Sequence, residues 1–406
     1  MTESDVAALR TALTDRLIQD GAIRNDEIAE AFRTVPRHRF LPDIDQAKAY
    51  VDEAIPIKWG ADGRPLSSSS QPAIMAIMLA QLQIGPGQRV LEIGTGTGYN
   101  AALLTRLVGA NGAVVTVDID ENLAAAARER LNAAGYSSVT VAAGDGAAGR
   151  PDGAPYDRII LTASARDLSP AWSSQLGDDG RLLLPLSLRG TQQSVCFKQA
   201  GDHLVSISVV PCGFMPLMGE LAGDDPVRPF GEMQGVFLRL EDDRELDLTA
   251  LRAALGQPGQ TLPTGVTVSR SYYFTGLGLW LALHDPGVGE LAAIAPAVGR
   301  NLIPATVTHI AGMEATTVLV GETSLAAVVR PPGTEQDTDF EALVRGYGPD
   351  GDQLAERLAE HIRGWESAGC PATPRLRIRA YPASAADHGE AAFTITMPHT
   401  RFLLDW

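Results

Sequence analysis

Hydrophobic positions recur with two different periods along this chain, and the switch between them divides it. Up to about residue 60 the spacing is helical: Val6, Leu9, Leu13 and Leu17 share one face, as do Ile28, Ala31, Phe32 and Val35. Pro36 and Pro42 interrupt that pattern around Arg37-His38-Arg39-Phe40-Leu41, where His38 reads as a partly buried structural residue. From 72 to about 218, short apolar runs alternate with helical stretches, as a parallel sheet with helices on its faces requires. The runs are 89–93, 113–118, 139–142, 158–162 and 180–186; the helices are 74–82, 101–108 and 121–134. A later pair, 194–198 and 204–210, is expected to close the sheet. Beyond a candidate linker at 223–229 the texture changes to α+β. A helix there carries Leu354, Leu358, Ile362 and Trp365 on one face, and strands are expected at 316–320, 325–329, 375–380 and 393–396. The pattern predicts a doubly wound α/β domain over 1–220, with a helical segment and loop at 1–70 and a sheet at 71–220. An additional α+β domain is expected over 221–406.

Composition narrows the class. A chain of 406 residues is long enough for two cores, and at 45% hydrophobic and 20% charged it reads as globular. No apolar run is long enough to span a bilayer, and the start, Met1-Thr2-Glu3-Ser4-Asp5, is acidic where a signal peptide is basic and then apolar. A net charge of −16 argues against a nucleic-acid surface. Cys196, Cys212 and Cys370 have neither metal nor disulfide spacing and fit packed thiols in a reducing compartment. The expectation is a cytoplasmic protein with no metal, no membrane partner and no nucleic acid.

Candidate chemistry begins at Val90-Leu91-Glu92-Ile93-Gly94-Thr95-Gly96-Thr97-Gly98-Tyr99. An apolar run ends in a turn with glycine at every second position, and a helical pattern follows. Glycines let the backbone approach a bulky ligand at the carboxyl end of a strand. The spacing G-x-G-x-G differs from the dinucleotide fingerprint, whose third glycine falls where Tyr99 stands here. The short form after Glu92 is similar to that of S-adenosylmethionine enzymes; on this motif alone a dinucleotide enzyme stays open. Two acids narrow the choice. Asp118 ends the next run, 24 residues after Gly94, where a carboxylate can accept from both ribose hydroxyls. Asp145, in Gly144-Asp145-Gly146, ends the following one, where it can bond an adenine amino group. Two acids at successive strand ends repel a phosphorylated cofactor and suit a sulfonium.

The substrate signal is Gly63-Arg64-Pro65-Leu66-Ser67-Ser68-Ser69-Ser70-Gln71-Pro72. Hydroxyls before a helix usually cap it. At these residues, however, the chain resembles the protein-L-isoaspartate O-methyltransferase family, whose G-x-x-[I/L]-S-[Q/A]-P loop faces cofactor and substrate. Further matches are Val35-Pro36-Arg37-x-x-Phe40, the glycine motif, Gly144-Asp145-Gly146, Ile160-Leu161-Thr162-Ala163 and Gly180-Arg181-Leu182-Leu183-Leu184-Pro185, in the family's order over 10 to about 218. The resemblance implies a Rossmann-like S-adenosylmethionine-dependent methyltransferase sheet. It places Ser70, helped by Ser69, at the reacting carboxylate, and Ser67, Ser68, Glu92, Gly94, Gly96, Gly98, Tyr99, Asp118, Ile119, Asp145, Gly146 and Thr162 at the cofactor. S-adenosylhomocysteine would be the co-product.

The chain also departs from the family's repair enzymes, which end after a little over two hundred residues. It differs at 164–172 and in Pro211-Cys212-Gly213-Phe214-Met215-Pro216-Leu217-Met218-Gly219. With its long tail it is similar to an actinobacterial branch associated with ribosomally made modified peptides: lanthipeptides, graspetides and lasso peptides. There an Asp carboxylate of a constrained peptide is methylated, then cyclises to aspartimide and can open to isoaspartate. The expected activity is carboxyl O-methylation of an aspartyl or isoaspartyl side chain in a peptide or protein. The alternatives are general isoaspartate repair and, from another class, a non-catalytic cofactor-binding scaffold that recruits peptides. The chemistry asks for few groups, because a carboxylate is already ionised at neutral pH and needs no general base. The N-terminus of the helix at Pro72 offers backbone donors to such an anion.

Overall fold

The computed structural model describes all residues except 1, 61–64, 224–226, 231–232, 242–243, 309–312, 335–337 and 386–388. Gly63 and Arg64 of the serine loop, and part of the candidate linker, therefore lie outside the described residues. The chain forms two compact units: 1–186, 192–223 and 377–405 make the first, while 187–191, 224–376 and Trp406 make the second.

In the first unit, helices α1 (Glu3–Gln19) and α2 (Asp26–Thr34) precede a two-stranded antiparallel hairpin, β1 (Ile55–Trp59) and β2 (Pro65–Ser69). Then α3 (Pro72–Leu82), β3 (Arg89–Ile93), α4 (Tyr99–Val108), β4 (Ala113–Asp118), α5 (Glu121–Ala133), β5 (Thr140–Ala143) and β6 (Tyr156–Leu161) alternate. The long strands β7 (Leu176–Leu188), β8 (Thr191–Ala200) and β9 (His203–Pro211) follow. Strands run in the order β5-β4-β3-β6-β7, all parallel, which puts β3 and its glycine loop at the centre. Strand interiors such as Val90, Leu91, Ile159, Ile160, Leu182 and Leu183 are fully buried, as expected of strands covered on both faces.

The pair β8–β9 does not close this sheet. Strand 377–382 pairs antiparallel with β9, and 400–405 and 393–396 continue outward, giving ten strands. The expected tail domain over 221–406 therefore needs correcting: 377–405 belongs to the first unit's sheet. Only long-range pairing reveals this, because an antiparallel edge strand looks the same in sequence whichever sheet it joins.

The second unit is an eight-stranded antiparallel sheet in the order 227–229, 236–239, 288–293, 314–320, 325–329, 340–347, 258–268, with 307–308 pairing beside 314–320. The helix Gly351–Ser367 buries Ala355, Leu358, Ala359, Ile362 and Trp365 in its core, as the 3.6-residue spacing of those positions requires. No helix among the described residues is long and apolar enough to cross a membrane.

Candidate active site

Strand β3 ends in a loop where Gly94, Gly96 and Gly98 all hold positive φ (100°, 52° and 88°), a region that only glycine adopts without strain. At Gly94 the space is also full, since a Cβ would stand 2.5 Å from Thr162 Oγ1. Thr162 in turn donates to the Gly94 carbonyl at 2.6 Å, tying the loop to the end of β6. Asp118 ends β4 beside it: its Oδ2 accepts the Gly96 N–H at 2.9 Å and its Oδ1 the Asp120 N–H at 3.0 Å. Burial pushes the Asp118 carboxyl above its ordinary value, and those two backbone donors oppose the shift. Each oxygen keeps a lone pair for a ligand hydroxyl. Asp120 caps α5 through the Asn122 and Leu123 N–H groups and meets the Lys58 ammonium from β1.

One cavity of about 420 Å³ opens against this loop, lined by Gly94, Gly96, Asp118, Ile119, Gly146 and Thr162 together with Ser67, Ser68 and Ser70. Four residues expected at the cofactor do not line it: Glu92, Gly98, Tyr99 and Asp145. Glu92 is fully buried beneath the loop, where its carboxylate accepts from Asn100 Nδ2 at 2.8 Å and Thr116 Oγ1 at 2.6 Å. Gly98 caps α4 and packs against Leu131, which a Cβ would approach to 3.2 Å. Tyr99 points into the core, its ring 6.3 Å from Phe32 and 5.8 Å from Phe40. The first turn of α4 carries it away from the loop's ligand side.

Burial raises the Glu92 carboxyl to about 7, with the Thr116 and Asn100 hydrogen bonds opposing the shift. An acid raised on folding contributes stability in its protonated form, in full below its unfolded pKa, and loses it as pH rises through the folded value. A Glu92→Gln variant keeps both partners without the ionisation. Its unfolding free energy relative to the parent should therefore climb between about pH 4.5 and 7 and then level off. The span is roughly 3 kcal/mol at 1.36 kcal/mol per unit. Parallel denaturant melts across that range test this; a pH-independent difference would mean Glu92 ionises normally.

The serine run divides by face. Ser67, Ser68 and Ser70 line the cavity, whereas Ser69 is 4% exposed and turns to Arg37 Nη2 at 3.4 Å. Ser69 is therefore part of the loop's support and does not assist Ser70 at the cavity. Arg37 itself is fully buried and donates to the carbonyls of Ala49, Val51, Glu53 and Ser70 at 3.0–3.2 Å. Its guanidinium lies 5.8 Å from the Tyr99 ring. The sequence offered Arg37 only as a motif match; a lone Arg beside Pro36 gives no sign of burial. The N-terminus of α3 is not open to a substrate anion either. Asp52 Oδ1 accepts the Ala73 N–H at 2.8 Å and Oδ2 the Gln71 side chain at 2.9 Å, so a resident carboxylate fills that place. Pro72 has no N–H to offer.

The remaining wall is the strap 211–218, which follows β9. Gln192 brackets it, accepting the Phe214 N–H at 2.6 Å and donating to the Phe214 carbonyl at 3.1 Å. Ser164 pairs with it through Met215 O and Leu217 N, both at 2.8 Å. Beyond it, the Glu220 N–H donates to Asp145 Oδ2 at 2.7 Å, while Asp145 Oδ1 accepts the Ala147 N–H at 2.8 Å. Asp145 does not line the cavity in this arrangement, contrary to expectation; the chain 75 residues downstream occupies its outer oxygen. Gly146 does line it. Cys212 lies in the strap as a neutral thiol, burial pushing it well above its ordinary value.

A model of the protein-L-isoaspartate(D-aspartate) O-methyltransferases matches residues 8–222. The chain belongs to this family. Among isoaspartate methyltransferases, that of Roseiflexus sp. (strain RS-1) is 39% identical over 215 residues, 53% of this chain and 94% of that protein. That of Methanopyrus kandleri is 38% identical over 219 residues, again 53% and 94%. A solved structure of a protein-L-isoaspartate O-methyltransferase, 24% identical, covers 91% of this chain and 96% of its own with a TM-score of 0.50. The fold is thus that of an S-adenosylmethionine-dependent methyltransferase with an additional sheet domain, and the protein is an enzyme of the isoaspartate O-methyltransferase type.

Proposed function

We propose that this enzyme transfers a methyl group from S-adenosylmethionine to the side-chain carboxylate of an isoaspartyl or aspartyl residue, and that its preferred substrate is a conformationally constrained, modified ribosomal peptide. The observation that carries the reaction is the meeting of the glycine loop, Asp118 and the serine loop on one cavity. The donor set suits this cofactor. Asp118 is the only charged side chain lining the cavity among the described residues, so nothing there offers to pair a phosphate, whereas a carboxylate suits ribose hydroxyls and a neighbouring sulfonium. When bound, the cofactor supplies an electrophilic methyl on a good leaving group.

The protein's own residues then have a positioning task. Gly94 and Gly96 leave the loop low, Asp118 anchors the ribose, and Ser70 presents a hydroxyl to the substrate carboxylate or its adjacent backbone. Orientation of this kind can contribute roughly 7–11 kcal/mol. Arg37 holds the Ser70 carbonyl and so sets where that hydroxyl stands. Ser70→Ala should lower kcat by about tenfold or more, with cofactor affinity nearly unchanged. Normal turnover with a lower melting temperature would make Ser70 a structural residue. The methyl ester product is open to attack by the next backbone nitrogen, which expels methanol and leaves an aspartimide without further help from the enzyme.

The biosynthetic substrate rests on the segment 211–219 and on the tail, which lies outside the match to the Roseiflexus and Methanopyrus enzymes, although the solved isoaspartate methyltransferase that covers 91% of this chain extends over it as well. A constrained peptide also loses less entropy when it is ordered in the cleft. General repair of damaged proteins is the second reading, favoured by relatives that match residues over nearly their whole length. The test compares methylation of a cyclised precursor peptide, its linear form and a generic isoaspartyl peptide. Preference for the cyclised form supports the biosynthetic reading, equal rates support repair, and absence of transfer to all three removes both.

A further inference from the structure

The strap 211–218 has a use that methyl transfer alone does not require. It crosses the carboxyl ends of β6 and β5: Met215 and Leu217 pair with Ser164 just past β6, and Glu220 reaches Asp145 just past β5. Its first half is held from β8 by Gln192, which brackets Phe214. Helix α3 is tied to β8 and β9 too, since Gln81 bonds Ser194 and Ser208 of those strands. Ile74 and Ile77 of α3 line the same cavity as Phe214 and Met215. Ser70 stands immediately before α3. The cavity therefore continues from the reacting position into a compartment walled by isoleucines, a phenylalanine and a methionine, without a charged side chain among its described residues.

We propose that this compartment is a subsite for the residue flanking the reacting carboxylate, that it takes an uncharged apolar side chain, and that Asp145 and Gly219 hold its wall in place. The inference rests on the function proposed above. A charged flanking side chain would lose its hydration there and gain no partner, whereas an apolar one gains by leaving water. The latch is built for close approach. Gly219 has φ +97°, and a Cβ there would stand 2.3 Å from Asp145 Oδ2, so only glycine allows the chain to settle on that carboxylate. Asp145 is in this respect a positioning residue. It holds Gly219 and Glu220, the chain just past the strap, and in this reading the strap is what meets the substrate.

The test uses the full chain and three isoaspartyl peptides identical except for a flanking Leu, Gln or Glu. The wild type should favour Leu over Glu in kcat/KM by about tenfold or more, with Gln between them. Phe214→Ser and Met215→Ser each open the wall, and Gly219→Ala unseats it from Asp145; each should bring the Leu/Glu ratio to within about twofold. The ratio is taken within one enzyme, so a variant that merely binds cofactor less well, or is partly unfolded, slows all three peptides alike and keeps the parent ratio. Equal rates in the wild type overturn the subsite alone. An undiminished ratio in all three variants removes the strap as its wall, and no transfer to any peptide overturns the proposed function with it.

Discussion

Arg37→Ala should destabilise the first unit by about 3 kcal/mol or more, because each buried carbonyl left without a donor costs about 1–3 kcal/mol. The side chain serves the carbonyls of Ala49, Val51, Glu53 and Ser70 from full burial, and so ties its own turn both to the segment 12–16 positions on and to Ser70, 33 positions on. Bulk water has no path to those carbonyls without opening the packing at Arg37, which is fully buried with its guanidinium 5.8 Å from the Tyr99 ring. Arg37→Lys should rescue little, since an ammonium has one donor centre where the fork has two. Equilibrium urea unfolding checks the magnitude, and activity should fall with it because Ser70 is released. A loss below about 1 kcal/mol would mean that solvent or neighbouring groups take over the carbonyls.

The strands and helices around the cofactor loop were legible because each carries its own pattern: 89–93 is a short apolar run carrying one acid, Glu92, after Arg89, and the 121–134 helix repeats alanines toward the sheet. Depth and long-range pairing were not legible. Ser67 and Ser69 should share a face by strand alternation, yet Ser67 and Ser68 both line the cavity. The hairpin pairing is irregular between Pro56 and Lys58, and an irregularity breaks the two-residue period that alternation relies on. Glu92 and Tyr99 flank the glycine loop on elements that then turn inward, so adjacency in the motif does not translate into contact with the cavity. Asp145 was read from its strand end alone, while its partner at Glu220 lies 75 residues on. The return of 377–405 to the first sheet is the same problem at larger scale. Nothing local to those strands says which edge they extend.

Asp118→Ala should weaken S-adenosylmethionine binding by about 1–3 kcal/mol, roughly five- to 150-fold in Kd. The carboxylate has two tasks that the substitution separates only partly. Its inner lone pairs hold the Gly96 and Asp120 N–H groups, and its outer ones face the cavity, where ribose hydroxyls would replace water. Removing it costs the ligand two charge-assisted hydrogen bonds and also loosens the loop at Gly96. Asp118→Asn distinguishes these effects: the amide oxygen can keep one backbone donor, so the loop should hold while the charged pairing to ribose is lost. Because burial raises the Asp118 pKa, cofactor affinity should begin to fall on acidification above the ordinary aspartate range. That acid limb should be absent from Asp118→Asn. Isothermal calorimetry of both variants, with the parent followed across pH, reads all of this directly. Unchanged affinity in Asp118→Ala would place the ribose elsewhere in the cavity, and Ile119 and Gly146 would then be the nearest residues left to define the adenosine end.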